Sequence, residues 1–468
     1  MAQATILRRR ATLYFRARPA FYLPGANGSG EMASEREAAA HGERAAPRAL
    51  LSDAAFVRLW LCGMLAGVLR WLELLAISVY VLEQTGSPFL VALLTVMRMA
   101  PMFLFGIPAG ALADRFDRRR LLIIGLVILA LASALLALLA AGGRIALWQI
   151  ALGTFLGGMF WSSEFPVRRT MLGEIAGPPR LSRAMALEAA TSNATRMVGP
   201  VLGGILMETL GLAGVYVLGA VIHALAALIL LRLAYRAAGG PGASPSFGAM
   251  LREGWQFTRA RRTIVGALAV TVIVNLWGFA YITMVPVIGE RTLGLSPALI
   301  GVLMSTEGLG ALLGSVLIAR FDRPRRYLQI YAGSSLLFLL AVMAFAGSSW
   351  FPLSLALILL CGIGIAGFAV MQSTIFFLAA PPAMRSRVMG MVTVSIGAGP
   401  IGMLQVGLLA DWLGAPMAVA LVAGQGLLAL ALAVLVWPEL RRPAALSSQA
   451  PSDPAPMPIS SGPRQADT

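Results

Sequence analysis

The sequence predicts an all-α membrane protein with twelve transmembrane helices in two six-helix, pseudo-symmetric halves. Three observations predict it. The chain is too apolar for water: 58% of its 468 residues are hydrophobic and 12% are charged, against about 25% charged in a soluble domain. The mean hydropathy is +0.80. Its apolar residues fall in twelve blocks of the length that a bilayer requires, about 20 residues each. Finally, motifs of the first half recur in the second at nearly one offset. DRFDR at Asp114–Arg118 returns as ARFDR at Ala319–Arg323, SRAM at Ser182–Met185 as SRVM at Ser386–Met389, and GGILMETLG ending at Gly211 as VGLLADWLG ending at Gly414. Such repeats imply parallel halves that rock about a site between them.

Taken in order, the blocks lie near 55–81, 88–113, 120–141, 145–171, 186–209, 212–234, 263–288, 297–319, 327–346, 351–379, 388–412 and 415–437. Glycine and proline are frequent inside them, as spanning helices tolerate. Barrel strands would alternate apolar and polar residues, and these blocks do not. Before them, residues 1–52 carry no helical apolar stripe and are expected to form a disordered tail without a cleavable leader; Met32 is an alternative start. The first half covers 53–235. A linker, 236–262, contains FGAMLREGWQFTRARR, which suits an amphipathic helix at the membrane surface. The second half covers 263–437, and the Pro/Ser/Ala-rich tail 438–468 reads as disordered.

Orientation follows from arginine, which supplies all 37 basic residues against 21 acids. With the N-terminus inside, 31 lie in inner segments and tails. Arg144 and Arg291 lie in outer loops, and Arg58, Arg70, Arg98 and Arg196 lie within spans. The positive-inside rule then places both termini in the cytoplasm. The formal charge of +16 reflects this topology rather than nucleic-acid binding, because the arginines sit between apolar blocks. Cys62 and Cys361 lie inside spans and offer no disulfide framework.

The stretch GIPAGALADRFDRRR, Gly106–Arg120, organises the first half. Its pattern GxLADRxxRRR (Gly110, Leu112, Ala113, Asp114, Arg115, Arg118, Arg119, Arg120) resembles the signature loop of the major facilitator superfamily. Gly199, Pro200, Gly203 and Gly204 in span 5 resemble the core of that superfamily's antiporter motif. FPVRRTML at Phe165–Leu172 and SRVMG at Ser386–Gly390 resemble the branch of enterobactin exporters and macrolide efflux proteins. The resemblance covers 53–437 and implies a major facilitator fold working by alternating access. It also implies that Asp114 meets the start of span 11, near Val388, when the halves close on the cytoplasmic side. A carboxylate there gains from the helix N-terminus, so Asp114 would favour the outward-facing state. The sequence departs from the pattern at Asp117, where glycine is usual, at Ala319, where the second copy lacks its acid, and at Gln149, where many proton antiporters carry arginine.

Ionisable residues within spans are candidate functional groups. Arg70 and Glu73 lie one turn apart and can pair; Arg98 should sit at similar depth. These three either glue spans 1 and 2 or meet an anionic substrate group. Glu307 has no base on its own helix and is either a candidate for proton coupling or substrate contact or a buried, protonated, hydrogen-bonded acid. Glu164 is expected to pair with nearby arginines, and Glu188 and Arg196 to face the interior. Asn275, Gln372 and Gln405 are either cavity donors or helix–helix hydrogen bonds; His223 reads as a packing residue. Pro200 should bend span 5, and its neighbouring glycines should admit a second helix closely.

Without lysine there is no GxxxxGK[ST] loop, so ATP is not the direct energy source. No cofactor, no metal ligand cluster and no catalytic set is expected, which argues against an enzyme. The expected function is proton-coupled efflux of an amphipathic small molecule across a bacterial inner membrane. An uncoupled uniporter or lipid flippase and a non-transporting receptor are the alternatives. Expected partners are the small-molecule substrate, protons and the bilayer, with no nucleic acid and with the chain acting as a monomer.

Overall fold

A computed structural model describes residues 50–115, 117–235, 247–320, 324–381 and 384–441, with the side chains of 103–115, 247–251 and 386 outside that description. The fold is all helical and contains the twelve expected spans. Span 1 (Ala54–Thr85) starts at Asp53, whose carboxylate accepts the Ala55 N–H at 3.1 Å. Spans 2, 3 and 4 are Pro88–Arg115, Arg118–Ala141 and Leu147–Ala176. Spans 5 and 6 form one run, Leu181–Leu231, broken only at Gly211, where φ is 63°. A surface helix, Phe247–Arg259, precedes the second half. Spans 8, 9, 10 and 12 are Pro297–Arg320, Tyr327–Ala346, Phe351–Ala379 and Ala415–Val436.

Two spans differ from the continuous helices that hydropathy predicts. Span 7 runs Arg262–Ile273, loosens to a π turn at Val274–Gly278, tightens to a 3-10 turn at Phe279–Thr283, and resumes at Val285–Arg291. Asn275 Nδ2 donates to the Thr271 carbonyl at 2.8 Å, competing with the backbone there. Pro286 has no N–H for the preceding turn. Span 11 is split into Arg385–Ile396 and Gly399–Leu413, and Pro400 opens its second piece.

The halves repeat one packing scheme. Span 1 packs on 5, 2 on 4 and 3 on 6; likewise 7 packs on 11, 8 on 10 and 9 on 12. Between the halves, span 5 meets span 8 and span 2 meets the second piece of span 11. The turn from span 11 to 12 is made at Gly414, φ 81°, the counterpart of Gly211. Both need the left-handed backbone that glycine adopts without strain, which accounts for the repeated glycine at the end of each echo. Large apolar side chains such as Leu138 and Leu428 stand 72% and 75% exposed, as a lipid-facing surface requires.

Among the described residues, the halves meet on one face. On the distal face, away from where span 1 begins and span 12 ends, Leu69–Leu82 of span 1 and Val91–Leu94 of span 2 join one apolar core with the whole second half. On the proximal face, Phe56, Leu59, Leu122, Val167, Met171 and Leu230 form a separate core inside the first half. Polar contacts follow the same division. Asp411 accepts hydrogen bonds from Ser87 Oγ (3.1 Å) and the Phe89 N–H (3.0 Å), Arg291 donates to the Gly86 carbonyl, and the Ala298 N–H donates to Glu208 at 3.1 Å. All four cross between the halves distally. The surface helix docks on its own half, through Glu253–Arg387 at 2.6 Å.

Candidate functional site

The signature loop joins three helix ends. Asp117 caps span 3 by accepting the Arg120 N–H at 2.8 Å. Arg118 reaches Glu174 at the end of span 4 (2.7 Å), and Glu174 also accepts the Tyr235 hydroxyl. Arg119 donates to the carbonyls of Leu230 (2.9 Å) and Leu231 (2.6 Å) at the end of span 6. Burial and the Glu174 contact hold the Tyr235 hydroxyl above its ordinary range. The Tyr235–Glu174 hydrogen bond is therefore intact at neutral pH and is lost as pH rises beyond the tyrosine's range. Gly110, Asp114 and Arg115 belong to the end of span 2; the contact expected of Asp114 lies outside the described residues. Arg118→Gln should lower the stability of the solubilised protein by about 1 kcal/mol or less, since the pair is part exposed. A thermal melt beside the wild type checks this.

The span 5 motif has two faces. A Cβ at Gly199 or Gly203 would strike the span 1 backbone at Val68 or Leu72. A Cβ at Gly204 would strike the Pro297 carbonyl of span 8. Span 8 reciprocates: Gly301 lies against the Pro200 carbonyl and Gly308 against Arg196 and Met197. Pro200 lies at the centre of this contact. The motif thus packs span 5 within its half and forms the seam between halves.

Just proximal to that seam, Arg196 forms an ion pair with Glu307 across the halves, and the Tyr281 hydroxyl donates to the other carboxylate oxygen at 2.6 Å. The guanidinium also lies over the Trp71 ring, 5.0 Å from its centroid. Glu307 is ten residues into span 8, about 15 Å along it, and its side chain is 5% exposed. The carboxylate that looked solitary on its own helix thus has a partner 111 positions away. Tyr281 gave no signal in the sequence, because it is brought there by the irregular part of span 7.

Arg70 and Glu73 do not pair with each other. Glu73 faces Arg98 of span 2 at 3.6 Å, and Arg70 faces Glu164 of span 4 at 3.5 Å, above the Trp161 ring. Residues one turn apart share a face only approximately, and a neighbouring helix offers each a nearer partner. Glu164 also binds Arg168, which binds Glu188 of span 5 at 2.7 Å. Arg168 looks like one more topology-setting arginine, yet it is 4% exposed. The spacing Glu164–Arg168, i to i+4, was the available signal. Arg168→Lys keeps the charge but not the two-carboxylate reach. It should cost roughly 1–3 kcal/mol, seen as a lower thermal midpoint in detergent.

Asn275 and Gln372 serve helix packing in the second half: Gln372 Nε2 donates to Thr271 Oγ1 at 3.2 Å, and Thr271 bonds the Tyr331 hydroxyl at 2.8 Å. Gln405 pairs with Gln425 on the exposed side of spans 11 and 12. Gln149 caps span 4, its Oε1 accepting the Ala146 N–H at 2.8 Å. Among the described residues no group of histidines, cysteines and acids is placed to hold a metal ion.

Twelve spans in two equivalent halves, closed on one face and carrying an ion pair where they meet, define a multi-pass membrane transporter of the major facilitator fold. The family model for transmembrane secretion effectors matches residues 45–462, and the chain belongs to that family. It is 29% identical over 369 residues to the multidrug efflux pump Tap of Mycolicibacterium fortuitum, covering 75% of this chain and 87% of Tap. It is 27% identical over 402 residues to the enterobactin exporter EntS of Shigella boydii, covering 84% of this chain and 94% of that protein. A bacterial homologue of the human lysosomal transporter Spinster shares the fold, with TM-score 0.64 at 15% identity over 85% of this chain and 98% of that one. These relatives are transporters, not enzymes.

Proposed function

We propose that the chain exports an amphipathic small molecule, of the kind its relatives' names describe, in exchange for protons. The observation that carries this reading is the Arg196–Glu307 pair, the buried charge that crosses between the halves. With the arginine pattern placing the proximal face in the cytoplasm, the described contacts between the halves close the outer face. In the empty, ionised transporter the pair holds the distal seam shut. A proton on Glu307, or a substrate that displaces Arg196, removes the attraction and frees the halves to rock. An empty, unprotonated chain thus stays closed on the distal face, and opening it requires cargo on Arg196 or a proton on Glu307. Asp114 would act as the opposing latch on the cytoplasmic side.

Expression in an efflux-deficient bacterium, scored against a panel of toxins and siderophores, tests this. Accumulation of the exported compound should fall with expression and recover when an uncoupler collapses the proton gradient. Export that ignores the uncoupler would instead favour a uniporter or flippase, a reading to which the uncharged, helix-capping Gln149 also points.

A further inference from the structure

One cavity lies inside the first half, separate from the seam, enclosed by spans 1, 2, 3, 4 and 6. Its polar wall carries Arg70, Arg98 and Glu73; Glu73 pairs with Arg98, and Arg70 pairs with Glu164 behind the wall. Around them stand four buried polar atoms without a hydrogen bond of normal geometry: Thr154 Oγ1, Trp161 Nε1, Tyr216 Oη and His223 Nδ1. Thr154, Tyr216 and His223 are each more than nine-tenths buried. A polar atom left unpaired in this way costs free energy, and here all four border one space. The opposite wall is apolar, formed by Leu69, Ile77, Leu129, Leu136 and Phe160. On span 4, Gly157 opens onto this space: a Cβ added there meets no atom within 4 Å.

We propose that this chamber binds a small ligand with a carboxylate head and an apolar body. The head lies between the Arg70 and Arg98 guanidiniums and takes hydrogen bonds from the Trp161 N–H, which can only donate, and from the Tyr216 and Thr154 hydroxyls. The body fills the apolar wall. A cationic head would meet two guanidiniums and would leave the Trp161 donor unused; an uncharged amide would bring its own N–H donors to a wall rich in donors and forgo charge-assisted hydrogen bonds to the guanidiniums. The site deepens the transporter reading by naming a ligand class, and it rests on that reading only for its part in transport.

The test uses the full-length protein in lipid nanodiscs with benzoate as probe, read by titration calorimetry, so that binding is scored without transport. Benzoate should bind saturably, and benzamide and benzylamine at least tenfold more weakly. Gly157→Leu, whose Cβ enters open space, should reduce benzoate binding tenfold or more. The neutral pair Glu73→Gln with Arg98→Gln should do the same without leaving a buried charge alone, and Tyr216→Phe should weaken it several-fold. Binding of benzamide or benzylamine as tight as benzoate, or benzoate binding unchanged by Gly157→Leu, would overturn the proposal. So would the absence of benzoate binding altogether. Benzoate binding in a protein that exports nothing would keep the chamber and refute the exporter.

Discussion

Glu307→Gln should abolish proton-driven uptake of the substrate into inverted vesicles while leaving the protein in the membrane at normal levels. The amide retains the volume of the side chain and can still accept the Tyr281 hydroxyl, so the fold survives. It cannot neutralise Arg196, and removing one partner of a buried ion pair costs roughly 3–5 kcal/mol. That cost falls on the distally closed state, because Arg196 and Glu307 belong to different halves and meet only when spans 5 and 8 are joined. The variant should therefore shift toward the outward-open form and lose its response to a proton gradient. Unchanged uptake would remove Glu307 from the mechanism. Arg196→Gln should mirror the loss from the other side.

Gly204→Leu should be as severe for a steric reason. Its Cβ would lie well inside van der Waals distance of the Pro297 carbonyl oxygen, a backbone atom that cannot rotate away. Overpacking of this kind costs roughly 1–3 kcal/mol, and here it is charged only to the state in which span 5 touches span 8. A preference of 1–3 kcal/mol corresponds to about 5–150-fold in a conformational equilibrium. Transport should fall by at least tenfold, and an aqueous thiol reagent should reach a cysteine introduced into the distal seam, in a background without Cys62 and Cys361, that is protected when Gly204 is intact. Gly333→Leu, at an exposed position where an added Cβ meets nothing, is the control and should transport normally.

The spans and the two-fold repeat were legible because both are written in contiguous residues. Twenty apolar residues in a row declare a membrane helix, and Gly211 and Gly414 mark the same turn in each half. The span 5 motif was equally legible, since four small or bent positions in one helix already imply a close neighbour. Charge pairing was not. Which base an acid finds depends on the rotation and depth of helices far apart in sequence, so Glu73 chose Arg98 over Arg70 and Glu307 found Arg196. The break in span 7 was hidden as well, because hydropathy is blind to a π turn and only Asn275, Gly278 and Pro286 hinted at it. The cavity of the first half required five helices to assemble before Trp161, Tyr216 and His223 could be seen to share it.

The central claim, that the two halves alternate between faces and that the Arg196–Glu307 pair biases the choice, is tested most directly by distance measurements. Paired spin labels would be placed at Gln84 and Trp412 on the distal face and at Arg183 and Arg325 on the proximal face. Cys62 and Cys361 would be replaced beforehand. Each pair should give two populated distances that change in opposite directions, with the short distal and long proximal form dominant at neutral pH. Glu307→Gln should move both pairs toward the long distal form. A single distance in each pair, unmoved by pH, by substrate or by Glu307→Gln, would contradict the account.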